Sequence, residues 1–284
     1  MPLLFDTSAL AIAQRLAAGL VLATVIALIA YRFRALTVSG AIASVIVGAL
    51  TFAFGGALVA AAIIIFFTCG SALGRLHNAT ADKARALATK DARRDAAQVV
   101  ANGGIATACA IAGGVASLYG WPHASRWLIA AVCAVAAASG DTWSTEIGAF
   151  FRGPARLITT MQHVTAGTSG GVTPLGTIAA PLGGAIIGLA GIARADVLVL
   201  PSWIALCAIV GLIGSIFDSM LGAAFQGRFR CTRCAQVVET TTHVKCGTDC
   251  SLVGGLSWLD NDGVNGMTTL GGAALGYALA GLFT

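Results

Sequence analysis

The sequence predicts an all-α, polytopic helical membrane protein of about eight spans, with a small zinc-ribbon-like loop on its cytoplasmic side. Three observations predict it. Of 284 residues, 57% are hydrophobic and 10% charged, whereas soluble domains carry about 25% charged residues. The 36 glycines accompany only 6 prolines, so they read as small residues that let membrane helices approach, not as linkers. The apolar runs are long and unbroken, where a β-barrel would show alternating segments of about 10 residues. This apolarity also excludes disorder. The net charge of +5 reports orientation before any affinity for nucleic acid, and no nucleic-acid partner is expected.

A span needs about 20 mostly apolar residues. The first candidate covers roughly 9–31. The stretch 35–74 is too long for one crossing and is expected to break at Gly55-Gly56, giving two; without that break the count is seven. The others are 96–118, 127–150, 172–193, 201–225 and 264–283. The whole chain, 1–284, reads as one membrane domain, with a Cys-rich loop at 227–262 between the last two spans.

Lys and Arg divide unevenly between the two sides. Arg32 and Arg34; Arg75, Lys83, Arg85, Lys90, Arg93 and Arg94; Arg152 and Arg156; and Arg228, Arg230, Arg233 and Lys245 fall in alternate loops. Arg15, Arg126 and Arg194 fall on the other side, a split of fourteen to three. The positive-inside rule puts the basic loops in the cytoplasm and both termini outside a cell inner membrane. Trp121, Trp127 and Trp203 sit near outer span ends, where interfacial aromatics belong. The first apolar run is followed by Tyr31 and basic residues, not by a small-residue cleavage site, so no cleavable signal is expected.

Ionisable residues inside spans are costly and usually functional. Asp95, Gln98 and Asn102 follow Arg93 and Arg94 at helical spacing. They form either a polar packing seam at a helix start or the mouth of a cavity. Asp141, Ser144, Thr145 and Gly148 share a helical face, and Glu146 is about 140° away from Asp141 on the wheel. Two carboxylates and several hydroxyls cannot face lipid, and oxygen-rich sites suit Mg²⁺ with substrate phosphates. Asp218, Gly222 and Gln226 form a third stripe, in which the small residue permits close approach.

Two loops add polar groups. Thr165–Gly176 carries Thr168, Ser169, Gly170 and Gly171 ahead of a helix, and free N–H groups there could cradle phosphate, although no P-loop lysine follows. Asp260, Asn261, Asp262 and Asn265 lead into the last span, and Asp260 or Asn261 could cap it.

Cys69, Cys109, Cys133 and Cys207 read as packing residues. Cys231 and Cys234, then Cys246 and Cys250, have the spacing of a small zinc ribbon, with His243 as an alternative ligand. A cytoplasmic loop favours metal over disulfide. Its role would be to staple a loop that has no core of its own.

Taken together, Gln98–Gly103, Gly140–Gly148, Arg156–Thr160, Gly167–Thr173, Gly214–Gln226 and Leu259–Asn265 resemble one integral-membrane family. It contains transmembrane protein 19 and the plant and cyanobacterial phytyl-phosphate kinases, and is catalogued as domain of unknown function 92. The resemblance covers about two thirds of the chain, and prokaryotic members look similar in carrying a Cys-rich insert. The family more distantly resembles polyprenol kinases and CDP-diglyceride synthases that use CTP. The resemblance implies a kinase that transfers phosphoryl from CTP, or another nucleoside triphosphate, to an isoprenoid monophosphate. It places Mg²⁺ on Asp141 and Asp218, with Glu146 as a third acid. Arg93, Arg94 and Arg156 would hold phosphates, Thr168 to Gly171 the triphosphate, and Asn102, Asn261, Asp262 and Asn265 the polar shell. A cytidylyltransferase making a CDP-lipid, and an ion-coupled transporter, are the alternatives.

Overall fold

The computed structural model describes residues 6, 8–80, 93–150, 154–165, 167–194 and 200–282. Lys83, Arg85, Lys90 and Arg152, counted above among the basic loops, lie outside the described residues, as does the side chain of Arg194.

The helices are α1 (Ala9–Arg32), α2 (Val38–Thr80), α3 (Ala96–Leu118), α4 (Ala124–Phe150), α5 (Pro174–Gly188), α6 (Leu200–Ala224) and α7 (Asn261–Leu279). A 3-10 turn, Leu189–Arg194, continues α5. Among the described residues, six helices are long and apolar enough to cross a membrane; α7, with 19 residues and polar groups in its first turns, is not among them. The integral-membrane class expected from composition is therefore present.

Gly56 interrupts α2, with φ 62° and ψ −161°. A left-handed φ favours glycine because it has no Cβ to clash. Both ends of α2 lie at the same end of the molecule. The Arg94 backbone bonds Ala35 and Thr37 just before α2, at 3.0 Å each. Its guanidinium lies over Phe66 and Phe67 in the second limb, 5.2 and 5.5 Å from the ring centroids. Arg75, late in α2, donates to Phe33 O, just before it, at 3.1 Å. The two limbs therefore fold back on each other at Gly56.

α4 is the hub, packed against α2, α3, α5, α6 and α7. Every residue from Leu128 to Gly140 is buried, as expected of a helix apolar all round. Its Ala, Gly and Ser residues let neighbours come close. At Gly140 an added Cβ would run into the Gly211 backbone of α6, and at Gly183 of α5 it would meet Trp143 and the Ser139 carbonyl. Ser139 Oγ donates to Gly183 O at 2.6 Å, fastening α4 to α5 at this crossing. α1 lies at the edge and exposes Leu20, Val21, Val25, Leu28 and Ile29 outward.

Two small antiparallel sheets add to the all-α expectation. Between α4 and α5, β1 (Ala155–Leu157), β2 (His163–Val164) and β3 (Gly171–Val172) form a sheet in the order β2-β1-β3. Between α6 and α7, β4 (Arg228–Cys231), β5 (Val237–Val238), β6 (Thr242–His243) and β7 (Thr248–Gly254) form one in the order β5-β4-β7-β6. These strands are two to seven residues long, too short for alternating hydrophobicity to announce them in the sequence.

A candidate active site at one end of the bundle

Besides α2, helices α3, α5 and α7 begin at the end of the bundle where α4 and α6 finish, and each of these three is capped by a side chain of the expected type. Asp95 accepts the Gln98 N–H at 3.1 Å and caps α3. Thr173 accepts the Gly176 N–H at 3.0 Å and caps α5. Asp260 accepts the Gly263 N–H at 2.9 Å and caps α7, which settles its role against that of Asn261.

The polar segments of α4 and α6 meet among these starts. Asp141 and Asp218 lie within electrostatic reach of each other. Asp218 Oδ2 accepts the Thr268 hydroxyl of α7 at 3.0 Å. Thr268 is 1% exposed, and the next residue, Thr269, donates to Ala101 O of α3 at 3.1 Å. Asn261 and Asn265 precede Thr268 by seven and three residues, so they share its face of α7.

The glycine-rich loop docks on the end of α6. Gly170 has φ 76°, and an added Cβ would strike Ala223. Ser169 and the Gly170 N–H approach Gly222 so closely that a side chain there would displace them. Ser169 Oγ donates to Gln226 Oε1 at 2.7 Å. Gln226 is 2% exposed, and its Nε2 has no hydrogen-bond partner among the described residues. Thr168 turns its hydroxyl to Thr165 O at 2.7 Å, and Gly171 N–H closes the loop on Thr168 O at 2.9 Å.

One residue of the Cys-rich segment reaches the same place. Glu239 follows β5 and is exposed. The Ser169 backbone and the Gln226 amide lie near enough to act on its carboxylate. Desolvation pushes its carboxyl up from the ordinary glutamate value, against those two contacts.

Glu146 and Arg94 lie apart from that group, near enough to act on each other electrostatically. Burial pushes the Arg94 guanidinium down from its ordinary value, and the Glu146 carboxylate opposes this. Arg94 also packs against Gly70, and Glu146 Oε1 lies beside Gly74. Arg94, Gln98 and Asn102 line the polar end of a cavity of about 120 Å³ between α1, α2 and α3, whose walls include Leu22, Val47 and Phe67. Asn102 donates Nδ2 to Gln98 O of its own helix at 3.0 Å.

Arg156 is exposed on β1 and donates to Met161 O at 2.8 Å, closing the β1–β2 turn. Arg93 is exposed, and Asp262 is half-buried in the first turn of α7. The structure thus brings Asp141 near Asp218, and Ser169 and Gly170 to Gly222 on the same helix as Asp218, with Ser169 bonded to Gln226. It sets Arg94 and Glu146 apart from these and gives Arg156 to its own hairpin. Thr268 and Glu239 were not singled out from the sequence. Thr268 had a signal, its helical spacing from Asn261 and Asn265; Glu239, in a threonine-rich loop, had none.

Beyond the bundle end, Cys231, Cys234, His243 and Cys246 bring one ligand atom each to within 4.8 Å of one another, a group that could hold a metal ion. Cys234 Sγ is 3.3 Å from His243 Nδ1. The His243 carbonyl accepts the Cys246 and Gly247 N–H groups at 3.1 and 2.8 Å, and this turn carries Cys246 to the group. His243 therefore stands where the sequence reading preferred Cys250. Cys250 is paired with Cys231 across β4 and β7, and its Sγ faces Thr248 O at 3.8 Å. The Thr248 hydroxyl, then the backbone N–H groups of Cys234 and Arg233, hold the Cys231 thiol down to about 5. Burial and the neighbouring thiols of Cys234 and Cys231 push Cys246 up to about 11.

Fold and site together define an integral membrane protein with polar side chains gathered at one end of a helical bundle. The chain belongs to the family described as Integral membrane protein DUF92, whose model matches residues 21–273. It is 31% identical over 282 residues to Protein PGR of Arabidopsis thaliana, covering 90% of this chain and 93% of that one. An uncharacterized membrane protein of Methanocaldococcus jannaschii is 33% identical over 214 residues, covering 75% and 84%. Another, from a Synechocystis strain, is 27% identical over 220 residues, covering 76% and 72%. No solved structure matches.

Proposed function

We propose that the chain is a membrane phosphotransferase that moves the terminal phosphoryl group of a nucleoside triphosphate, CTP first among them, to an isoprenoid monophosphate of the phytyl phosphate kind. The observation that carries this reading is the meeting of Asp141 and Asp218 beside a glycine-rich loop that leaves the buried Gln226 amide without an acceptor. A phosphate oxygen is the acceptor that this pocket lacks. The N-termini of α3, α5 and α7, gathered at the same end, favour anions.

Phosphoryl transfer asks for positioning and charge neutralisation more than for covalent chemistry. An oxygen of the acceptor phosphate attacks the terminal phosphorus. The bond from that phosphorus to its bridging oxygen breaks, and the nucleoside diphosphate leaves with the electron pair. The acceptor is already ionised, so no side chain has to activate it. Ser169 and Gly170 N–H groups and Gln226 orient phosphate oxygens. Two carboxylates with a hydroxyl nearby are a donor set that fits Mg²⁺, which Asp141 and Asp218 would hold and which would neutralise the developing charge. In this reading Glu146 positions Arg94 instead of joining that pair. The lipid tail occupies the cavity between α1, α2 and α3, with the head facing Arg94, Gln98 and Asn102.

We also assign eight spans, counting the limbs of α2 separately and including α7, with the basic loops and this site on the cytoplasmic side. Structural zinc fills the Cys₃His group. The crowding of polar groups toward one end favours an enzyme over a carrier, whose sites lie near the bilayer midplane.

The test is detergent-purified protein with Mg²⁺, farnesyl, geranylgeranyl or phytyl monophosphate, and each nucleoside triphosphate, with products read by mass. Prenyl diphosphate and nucleoside diphosphate, lost in D141A and D218A, support the kinase. Pyrophosphate and a nucleotidyl lipid mean cytidylyl transfer instead. No product from folded, metal-loaded protein overturns both.

A further inference from the structure

The cavity between α1, α2 and α3 has a polar end and an apolar end. Arg94, Gln98 and Asn102 stand at the first. That end is tied to the start of α2, where the Thr37 N–H donates to Arg94 O at 3.0 Å. Deeper in, the wall offers hydrocarbon. Thr107 donates its hydroxyl to Gly103 O at 2.9 Å, so in its 3.0 Å contact with Thr51 it accepts, and Thr51 donates. Thr68 gives its hydroxyl proton to Ile64 O of its own helix at 2.8 Å. Neither lining threonine has a proton left for a ligand. Leu22 and Ile64 line the cavity and are also exposed on the outer face of the helices, so a lipid can enter from the side.

The far end is closed. The Phe52 ring lies against Gly19 of α1, where an added Cβ would stand 3.3 Å from its Cδ1. One helical turn before Gly19, Arg15 reaches across to α2 and donates Nε to Ala53 O, just past Phe52, at 2.9 Å. Ala60 is the first residue of the second α2 limb to line the cavity. The lining runs from Ala27 to Gly19 on α1, from Ser44 to Phe52 on the first limb and from Thr68 to Ala60 on the second. Each is eight residue steps, or about 12 Å of helix. An isoprene unit adds four chain bonds of about 1.5 Å, some 5 Å when extended, so this depth takes roughly two to three units.

We propose that the cavity measures the tail of the isoprenoid acceptor, with Phe52 and Ala60 as its floor, and selects a three-unit, farnesyl-type monophosphate over a four-unit one. This rests on the reading of the cavity as the seat of the lipid tail, and it narrows the acceptor class. With the phosphate beside Arg94, the third unit reaches Phe52. A fourth has to displace the ring or leave the cavity.

The test places the full-length protein in phosphatidylcholine nanodiscs with equal amounts of geranyl, farnesyl and geranylgeranyl monophosphate. Retained lipids are measured by mass spectrometry, relative to empty nanodiscs. Wild type is expected to retain farnesyl over geranylgeranyl phosphate about tenfold, since even one methylene in an apolar pocket can be worth that much. F52A lowers the floor and is expected to abolish this preference. A60F raises the floor and is expected to move the preference to geranyl phosphate. Opposite shifts from two walls are not what loss of folding produces. The same ratios in all three proteins, with prenyl phosphate retained, overturn the gauge and leave the tail site standing. No retention above empty nanodiscs overturns the tail site and the gauge with it. Phosphoryl transfer is read by its own assay, so either failure is distinguishable from failure of the kinase.

Discussion

Thr268 and Asp218 join the last helix to the acidic stripe of α6 through a 3.0 Å hydrogen bond, buried at the hydroxyl end. The bond fixes one carboxylate oxygen of Asp218 and leaves the other for a ligand. T268V removes the donor at nearly constant volume. It is expected to cost about 1–2 kcal/mol, above the ~0.6 kcal/mol average for interhelical bonds in a membrane, because the acceptor is a carboxylate. Thermal unfolding in detergent checks this. T268S is expected to restore most of the loss, and a T268V protein as stable as wild type would remove the bond from the account.

Gly140 and Gly211 let α4 and α6 touch backbone to backbone, one residue before Asp141. A methyl group at position 140 has no space that a rotamer change could free, since the obstructing atoms are main chain. G140A is expected to separate the helices and lower stability by about 1–3 kcal/mol, the range for overpacking. It should also weaken any ligand shared by Asp141 and Asp218. By contrast, G266A is expected to be nearly silent, because nothing lies within 4 Å of an added Cβ there. Equal melting temperatures for the two variants would contradict this.

The metal-binding group separates two ligand sets that the spacing of cysteines left open. C234S and H243A are expected to lose bound zinc, measured as metal per chain by mass spectrometry, while C250S retains it. Acid is expected to release the metal, because protons compete for the ligands. Cys231 is already held down to about 5, so it resists protonation longest. Cys246, pushed up to about 11, regains its proton first as pH falls. Zinc retained by H243A and lost by C250S would restore the four-cysteine set.

How much of this was legible in the sequence depended on the range of the interaction. The break at Gly56 was legible because about forty apolar residues exceed one bilayer crossing, and a Gly-Gly pair marks where the chain turns. The carboxylates of Asp141 and Asp218 were legible because acids in apolar helices need a reason. That they meet was not, since they lie 77 positions apart and the register is set by Gly140 against Gly211. His243 in place of Cys250 depends on the turn after β6, and two-residue strands carry no periodicity to place it. Arg156 has the charge of a phosphate ligand, and only the geometry shows it spent on Met161.

Arg94 and Glu146 give the sharpest distinction between holding the bundle together and doing chemistry. Arg94 brings a cation among Phe66, Phe67 and Gly70, and Glu146 supplies the opposing charge from α4. Removing one partner of such a pair leaves a desolvated charge and costs about 3–5 kcal/mol. E146Q is therefore expected to unfold at markedly lower temperature, with Arg94 left uncompensated. R94K is expected to fail as well, because a compact ammonium does not stack on two rings as a planar guanidinium does. R94M with E146Q removes both charges at similar volume and is expected to recover stability well above either single variant. Activity then divides the roles. If the double variant folds and still transfers phosphoryl to a short-chain acceptor, the pair is architectural. If it folds and loses the long-chain acceptor alone, Arg94 holds the lipid head at the mouth of the α1–α2–α3 cavity. If it is no more stable than E146Q, the pairing itself is wrong.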